Sequence, residues 1–214
     1  GTLHKGRVEL QNTHKEKWEM CQKTNSENIV GDMSTAIKGA DVLISLSTPG
    51  PDVIKREWIK TMAEDAIVFV CANPIPEIWP WEAKDAGARI VATGRSDFPN
   101  QVNNSLGFPG IFRGVLDVRA KTITDEMCLA AAYELAKIQQ DKGLDEEHLL
   151  PTMDNPEIFA REAVAVGMKA IEQGVARVKI SREELYKIAS ATITNAREST
   201  QMLIKEGFIP APPV

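Results

Sequence analysis

The chain has 214 residues, a formal net charge of -5, 43% hydrophobic and 26% charged residues, the ordinary balance of a soluble globular protein with a sizeable core. The acidic surplus leaves no basic excess to displace counterions from phosphates, so a nucleic-acid partner is excluded. No apolar run approaches the roughly 18 to 20 residues of a membrane helix, and no membrane partner is expected. Cys21, Cys71 and Cys128 are odd in number and widely spaced, so they specify neither a disulfide framework nor a zinc site. His4, His14 and His148 have no metal-ligand spacing. No leader pattern opens the sequence, and a reducing, cytoplasmic setting is expected.

Residues 1–7 read as a loop. Three short apolar runs follow, at 41–47, 66–72 and 89–93. They are too short for helices and too continuous for half-exposed strands, which predicts parallel strands buried on both faces. Ile54, Trp58 and Met62 recur at a spacing of four and predict an amphipathic helix between the first two strands. Pro80 suits a first helical turn and Gly87 a helix end between the second and third. The alternation predicts βαβ units with right-handed crossovers. No strand with a Gly-rich turn precedes residue 41, so the first visible strand takes the third place in a doubly wound sheet.

Beyond about residue 103 the pattern is helical. Phe108, Ile111, Phe112, Val115 and Leu116 form one apolar face, with Pro109 as a kink or late start. Thr124 is an N-cap, Met127, Ala131, Leu135 and Ile138 continue a stripe, and Lys142-Gly143 ends it. Asn155-Pro156-Glu157 starts another helix, with Phe159, Ala163, Val166 and Ala170 on its buried face. Ser181 and Glu184 open the last helix, which runs to Lys205, stops at Gly207 and leaves a proline-rich tail.

Polar residues gather at the strand ends, where such sheets bind ligands. Ser47-Thr48-Pro49-Gly50 follows the first strand. A glycine there lets a cofactor approach the backbone, and a plain Pro-Gly turn is the alternative. Asn73, in Cys71-Ala-Asn-Pro74, carries an amide that can donate and accept at once, suited to a carboxylate or carboxamide. A turn opener is its alternative reading. The stretch from Thr93 to Asn104 places Asn103 and Asn104 at a helix N-terminus, where free N–H groups and the helix dipole favour anions. A simple N-cap is the competing reading there. Arg95 and Asp97 can pair with each other, and Cys71 reads as a small hydrophobe. The tryptophans Trp58, Trp79 and Trp81 read as core or interface, and Lys137, Glu183, Glu184 and Lys187 as solvated helix faces.

At these stretches the chain resembles the malic enzymes, especially the compact prokaryotic type. The resemblance lies in AIKGADVLISLS at 36–47, ANPIPE at 72–77 and, above all, GRSDFPNQVNN at 94–104 followed by FPGIFRG at 108–114. It implies an α/β fold: a partial doubly wound, Rossmann-like parallel sheet lacking its first strands, followed by C-terminal helices. The division expected is a partial NAD(P)-binding domain over 1–150 and a helical segment packing on it over 151–214. The resemblance further implies oxidation of malate with NAD or NADP and decarboxylation to pyruvate, assisted by Mg²⁺ or Mn²⁺. By it, Asn73, Asn103 and Asn104 bind substrate, while Ser47, Thr48, Pro49, Gly50 and Asn73 lie against the cofactor. The family's tyrosine acid, lysine base, metal-binding carboxylates and Gly-rich turn lie upstream of the matched segment. No catalytic residue or metal ligand is therefore assigned, and Tyr133 and Tyr186 carry no role. The expectation is a C-terminal part of a homo-oligomeric malic enzyme, inactive alone, whose missing N-terminal portion belongs to the same enzyme. The alternative is a non-catalytic binding or assembly module complemented by a separate N-terminal polypeptide.

Overall fold

The computed structural model describes residues 1–211; the end of the proline-rich tail, 212–214, lies outside the described residues. Two compact units divide at Pro99 and Asn100.

The first unit opens with the loop expected over 1–7 and then adds three helices that the sequence pattern did not single out. These are α1 (Leu10–Thr13), α2 (Lys15–Lys23) and α3 (Met33–Ala36). In α2 only Cys21 is buried, so its charged run offers no periodic stripe. The three expected strands follow as β1 (Val42–Ser45), β2 (Ile67–Val70) and β3 (Ile90–Thr93), parallel and in the order β1-β2-β3. The register pairs Ser45 with Val70 and Val70 with Thr93, so all three strands end on one carboxyl edge.

Side chains alternate across a strand, and the two faces of this sheet differ. Leu43, Val68, Val70 and Val91 pack with Ile37, Ile54, Ile59, Ile78 and Ala83 into the core of the unit. On the opposite face Val42 and Ile44 are 47% and 65% exposed. Burial on both faces, expected from the continuous apolar runs, is thus met on one face at β1.

Between the strands lie α4 (Arg56–Ile59) and α5 (Pro80–Asp85). The helix expected from Ile54, Trp58 and Met62 is a single turn. Ile54 lies before it, tied by its N–H to the Glu77 carbonyl at 3.0 Å, although all three residues still reach the core. Pro80 occupies the first turn of α5, and Gly87 follows it at φ +108°.

The second unit contains α6 (Asn104–Asp117), α7 (Asp125–Lys142), α8 (Glu157–Glu172) and α9 (Arg182–Lys205). The Thr124 and Ser181 hydroxyls cap α7 and α9 by accepting from Met127 N–H and Glu184 N–H, both at 3.2 Å. Gly143 and Gly207 follow these helices at φ +112° and +78°. Pro109 sits inside α6, which begins before it at Asn104, so it marks no late start. The α6 stripe turns outward: Phe108, Phe112 and Leu116 are exposed, and the two phenyl rings stack at 5.8 Å. The buried line on α6 is Leu106, Gly110 and Gly114, and the glycines let α8 approach closely. The interior is filled by Val118, Met127, Ala131, Val164, Val166, Ala170 and Leu185. The 150/151 boundary read from the sequence lies inside this unit, shortly before α8.

Candidate functional site

In the first unit the turns leaving β1 and β2 are joined by one residue. Glu77 is 0% exposed, and its carboxylate accepts four hydrogen bonds. Oε1 takes the Ser45 hydroxyl at 2.7 Å, the Ser47 N–H at 2.8 Å and the Ser47 hydroxyl at 3.2 Å. Oε2 takes the Ala72 N–H at 3.1 Å. Burial alone pushes this carboxyl up; the Ser47 amide, Ser45 hydroxyl and Ala72 amide outweigh it and hold it below the ordinary carboxylate value. A second tie joins the same turns, from Gly50 N–H to the Ile75 carbonyl at 3.3 Å.

The sequence nominated Ser47, Thr48, Pro49 and Gly50 for the cofactor and Asn73 for cofactor and substrate. The structure brings these two turns together at the carboxyl edge. Ser47, Thr48, Pro49 and Asn73 are exposed, and Gly50 adopts φ +137°, a conformation that side-chain-bearing residues rarely take. The Asn73–Pro74 peptide is cis. Behind it, a Cβ at Gly94 would lie 3.2 Å from Asn73 Nδ2 and 3.3 Å from the Cys71 carbonyl, so the glycine after β3 leaves room for the amide. Cys71 is half-buried and burial pushes its thiol up, in keeping with an unreactive role.

Arg95 holds the Asn73 turn from the other side. Its guanidinium pairs with both Asp97 oxygens, at 2.8 and 2.6 Å, and donates to the Pro74 carbonyl at 2.9 Å. The pair anticipated between Arg95 and Asp97 therefore also reaches the loop that carries Asn73. Arg95 lies 5.4 Å from the Phe98 ring centre, and Phe98 leans on Trp79 and Trp81, which stack at 4.9 Å.

In the second unit Asn103 is the N-cap of α6, and Asn104 is its exposed first residue. The Asn103 Oδ1 accepts Ser105 N–H at 2.9 Å and the Ser105 hydroxyl at 2.8 Å, so this oxygen serves the helix. The capping reading is realised for that atom. Asn100, buried at φ +55°, donates to the Glu146 carbonyl at 2.7 Å and accepts from Leu149 N–H at 2.9 Å, fixing the loop after α7. Among the described residues no three His, Cys, Asp or Glu side chains gather as a metal site.

Glu77 and Arg95 are the organising residues that sequence reasoning did not assign. An acid set among Ile75, Pro76 and Ile78 was the available signal for Glu77, since carboxylates in apolar settings need partners.

A parallel sheet with polar turns along its carboxyl edge defines a Rossmann-like α/β domain of the nucleotide-binding class. The family model described as "Malic enzyme, NAD binding domain" matches residues 1–173. The chain is 49% identical over 159 residues to an NAD-dependent malic enzyme of Geobacillus stearothermophilus, covering 74% of this chain and 33% of that protein. It is 37% identical over 192 residues to an NADP-dependent malic enzyme of Halomonas elongata, covering 83% of this chain and 43% of that protein. The crystal structure of the Entamoeba histolytica malic enzyme superposes with a TM-score of 0.95 at 53% identity, covering 100% of this chain and 44% of that one. The chain belongs to the malic enzyme family, and it spans less than half the length of these relatives.

Proposed function

We propose that the chain is part of an NAD(P)-dependent malic enzyme that converts malate to pyruvate and carbon dioxide. The observation that carries this reading is the pair of turns after β1 and β2, exposed at the sheet's carboxyl edge and locked by Glu77. Residues 47–50 fit a cofactor: the exposed turn, with Gly50 lacking a side chain, can lie against a ribose or nicotinamide. When bound, NAD or NADP supplies the acceptor for the two electrons of malate oxidation. The relatives include both NAD- and NADP-dependent enzymes, so either cofactor is open to this chain.

As the family resemblance implies, Asn73, Asn103 and Asn104 are the amides proposed to bind the dicarboxylate. Amides donate to a carboxylate without adding charge. At the α6 N-terminus the backbone N–H groups and dipole favour the same anion. The Mg²⁺ or Mn²⁺ expected for the decarboxylation would, as the family resemblance implies, take its ligands from other parts of the enzyme. Residues 1–150 are assigned to the cofactor domain and 151–214 to a helical segment packed on it, within a cytoplasmic homo-oligomer.

Two tests follow. The chain alone, given malate, NAD or NADP and Mn²⁺, is expected to yield no reduced cofactor; turnover by a mass-verified, unextended polypeptide would overturn that expectation. In the complete enzyme, Asn73→Ala and Asn104→Ala are each expected to lower kcat/KM for malate about 10- to 100-fold, the range for losing a hydrogen bond to a charged group. Steady-state kinetics with wild-type values for both variants would remove the two amides from the site.

A further inference from the structure

We propose that Glu77 is a positioning residue that sets the cofactor turn and the substrate turn relative to one another. This rests on the functional reading above. Its basis is the distribution of the four bonds. Two come from Ser47, the first nominated residue of the cofactor turn, and one from Ala72, next to Asn73. The fourth comes from Ser45, at the end of β1 and buried. The partners lie 30 residues before Glu77 in one turn and 5 before it in the other, so one side chain ties two turns that grow from neighbouring strands. Glu77 does not itself need to touch a ligand: moving its carboxylate shifts both turns together.

The chemistry calls for a carboxylate in particular. Every partner is a donor, and an ionised carboxylate only accepts. A glutamine can keep its oxygen among the three donors at Oε1, but then its NH₂ faces the Ala72 N–H, donor against donor. The Ala72 side is released, and with it the turn carrying Asn73. An aspartate keeps the charge but is one methylene shorter, so it cannot span both turns in their present places.

The test is steady-state kinetics and thermal unfolding of the complete enzyme, varying malate and NAD(P) separately. Glu77→Gln is expected to raise KM for both by about 10-fold or more, and Glu77→Asp to do the same despite its charge. Ser45→Ala removes the bond that comes from the strand rather than from a turn. It is expected to lower Tm while leaving both KM values within about twofold. A folded Glu77→Gln enzyme with wild-type KM values would overturn the proposal, as would KM changes that track Tm loss equally in all three variants. If Glu77→Gln does not fold, Ser47→Ala takes its place: a raised cofactor KM at nearly unchanged Tm supports the proposal, and unchanged KM values overturn it. A complete wild-type enzyme that does not oxidise malate would instead strike the functional reading itself, an outcome distinct from any variant result.

Discussion

Glu162→Gln is expected to stabilise the protein at pH 8 by about 3 kcal/mol or more and to have little effect near pH 5. Glu162 lies on α8, is 0% exposed, and neither carboxyl oxygen has a hydrogen-bond partner among the described residues. It points at the glycine line of α6, where a Cβ at Gly110 would fall within 2.4 Å of its carboxyl carbon. Burial pushes its carboxyl up from 4.5 to about 8, with no charged neighbour contributing. The sign follows from which state binds the proton. Below the unfolded value the group is protonated folded and unfolded alike, and it carries no pH-dependent penalty. As pH rises toward the folded value, the unfolded chain releases its proton and the folded chain does not, so stability falls. Above about 8 the full penalty is present: a bare carboxylate in an apolar interface, or the work of keeping it protonated. Glutamine has nearly the same shape and no charge, so its advantage should open between pH 5 and pH 8. Denaturant melts of both proteins at four pH values across that window would show it. A difference that stays constant with pH would mean that Glu162 is ionised and solvated in the folded protein.

Glu162 also shows where the amino-acid pattern stops being informative. The strands were readable because Val42 to Ser45, Ile67 to Val70 and Ile90 to Thr93 are continuous β-favouring runs. Their parallel pairing followed from the helical stretches between them. The ends of α7 and α9 were readable because Thr124, Gly143, Ser181 and Gly207 act locally, through caps and positive φ. What could not be read depends on distant partners. Ile54, Trp58 and Met62 have helical spacing, yet a backbone bond to Glu77 holds Ile54 outside the one-turn helix. Phe108, Phe112 and Leu116 look like a core stripe, but Gly110 and Gly114 allow α8 to lie against the other side of α6. Glu162 falls in line with Ile158 and Val166 at a spacing of four, and all three are buried, so periodicity could have flagged the position but not the absence of a partner. At the candidate site the exposed residues of the turns were visible as motifs. The carboxylate beneath them was not, because Ser45, Ser47 and Ala72 converge on Glu77 only after β1 and β2 have paired.

The α6 glycines give a prediction in which two chemically identical substitutions on one helix carry opposite signs. Gly114→Ala is expected to destabilise by about 3 kcal/mol and Gly107→Ala to stabilise by up to about 1 kcal/mol. At Gly114 a Cβ would sit 2.3 Å from the Ala163 carbonyl oxygen and 2.9 Å from Val166 Cβ. The first of these is backbone within α8, which cannot rotate aside, so the two helices must separate along their contact. At Gly107 the nearest atoms would be Glu162 Oε1 at 3.7 Å and Ile111 Cδ1 at 3.8 Å, ordinary van der Waals distances. With no steric demand there, the substitution expresses the helix preference of alanine over glycine and the smaller entropy of its unfolded chain. The same preference operates at Gly114, but at about 1 kcal/mol it is outweighed by the overlap with α8. Chemical denaturation of the two variants beside wild type, at a pH below 6 so that Glu162 remains protonated, measures both signs in one experiment. A Gly114→Ala protein as stable as wild type would show that α6 and α8 are not in glycine-mediated contact. On the substrate role proposed for Asn103 and Asn104 at the start of α6, the same variant in the complete enzyme should lose affinity for malate along with stability, whereas Gly107→Ala should leave it intact.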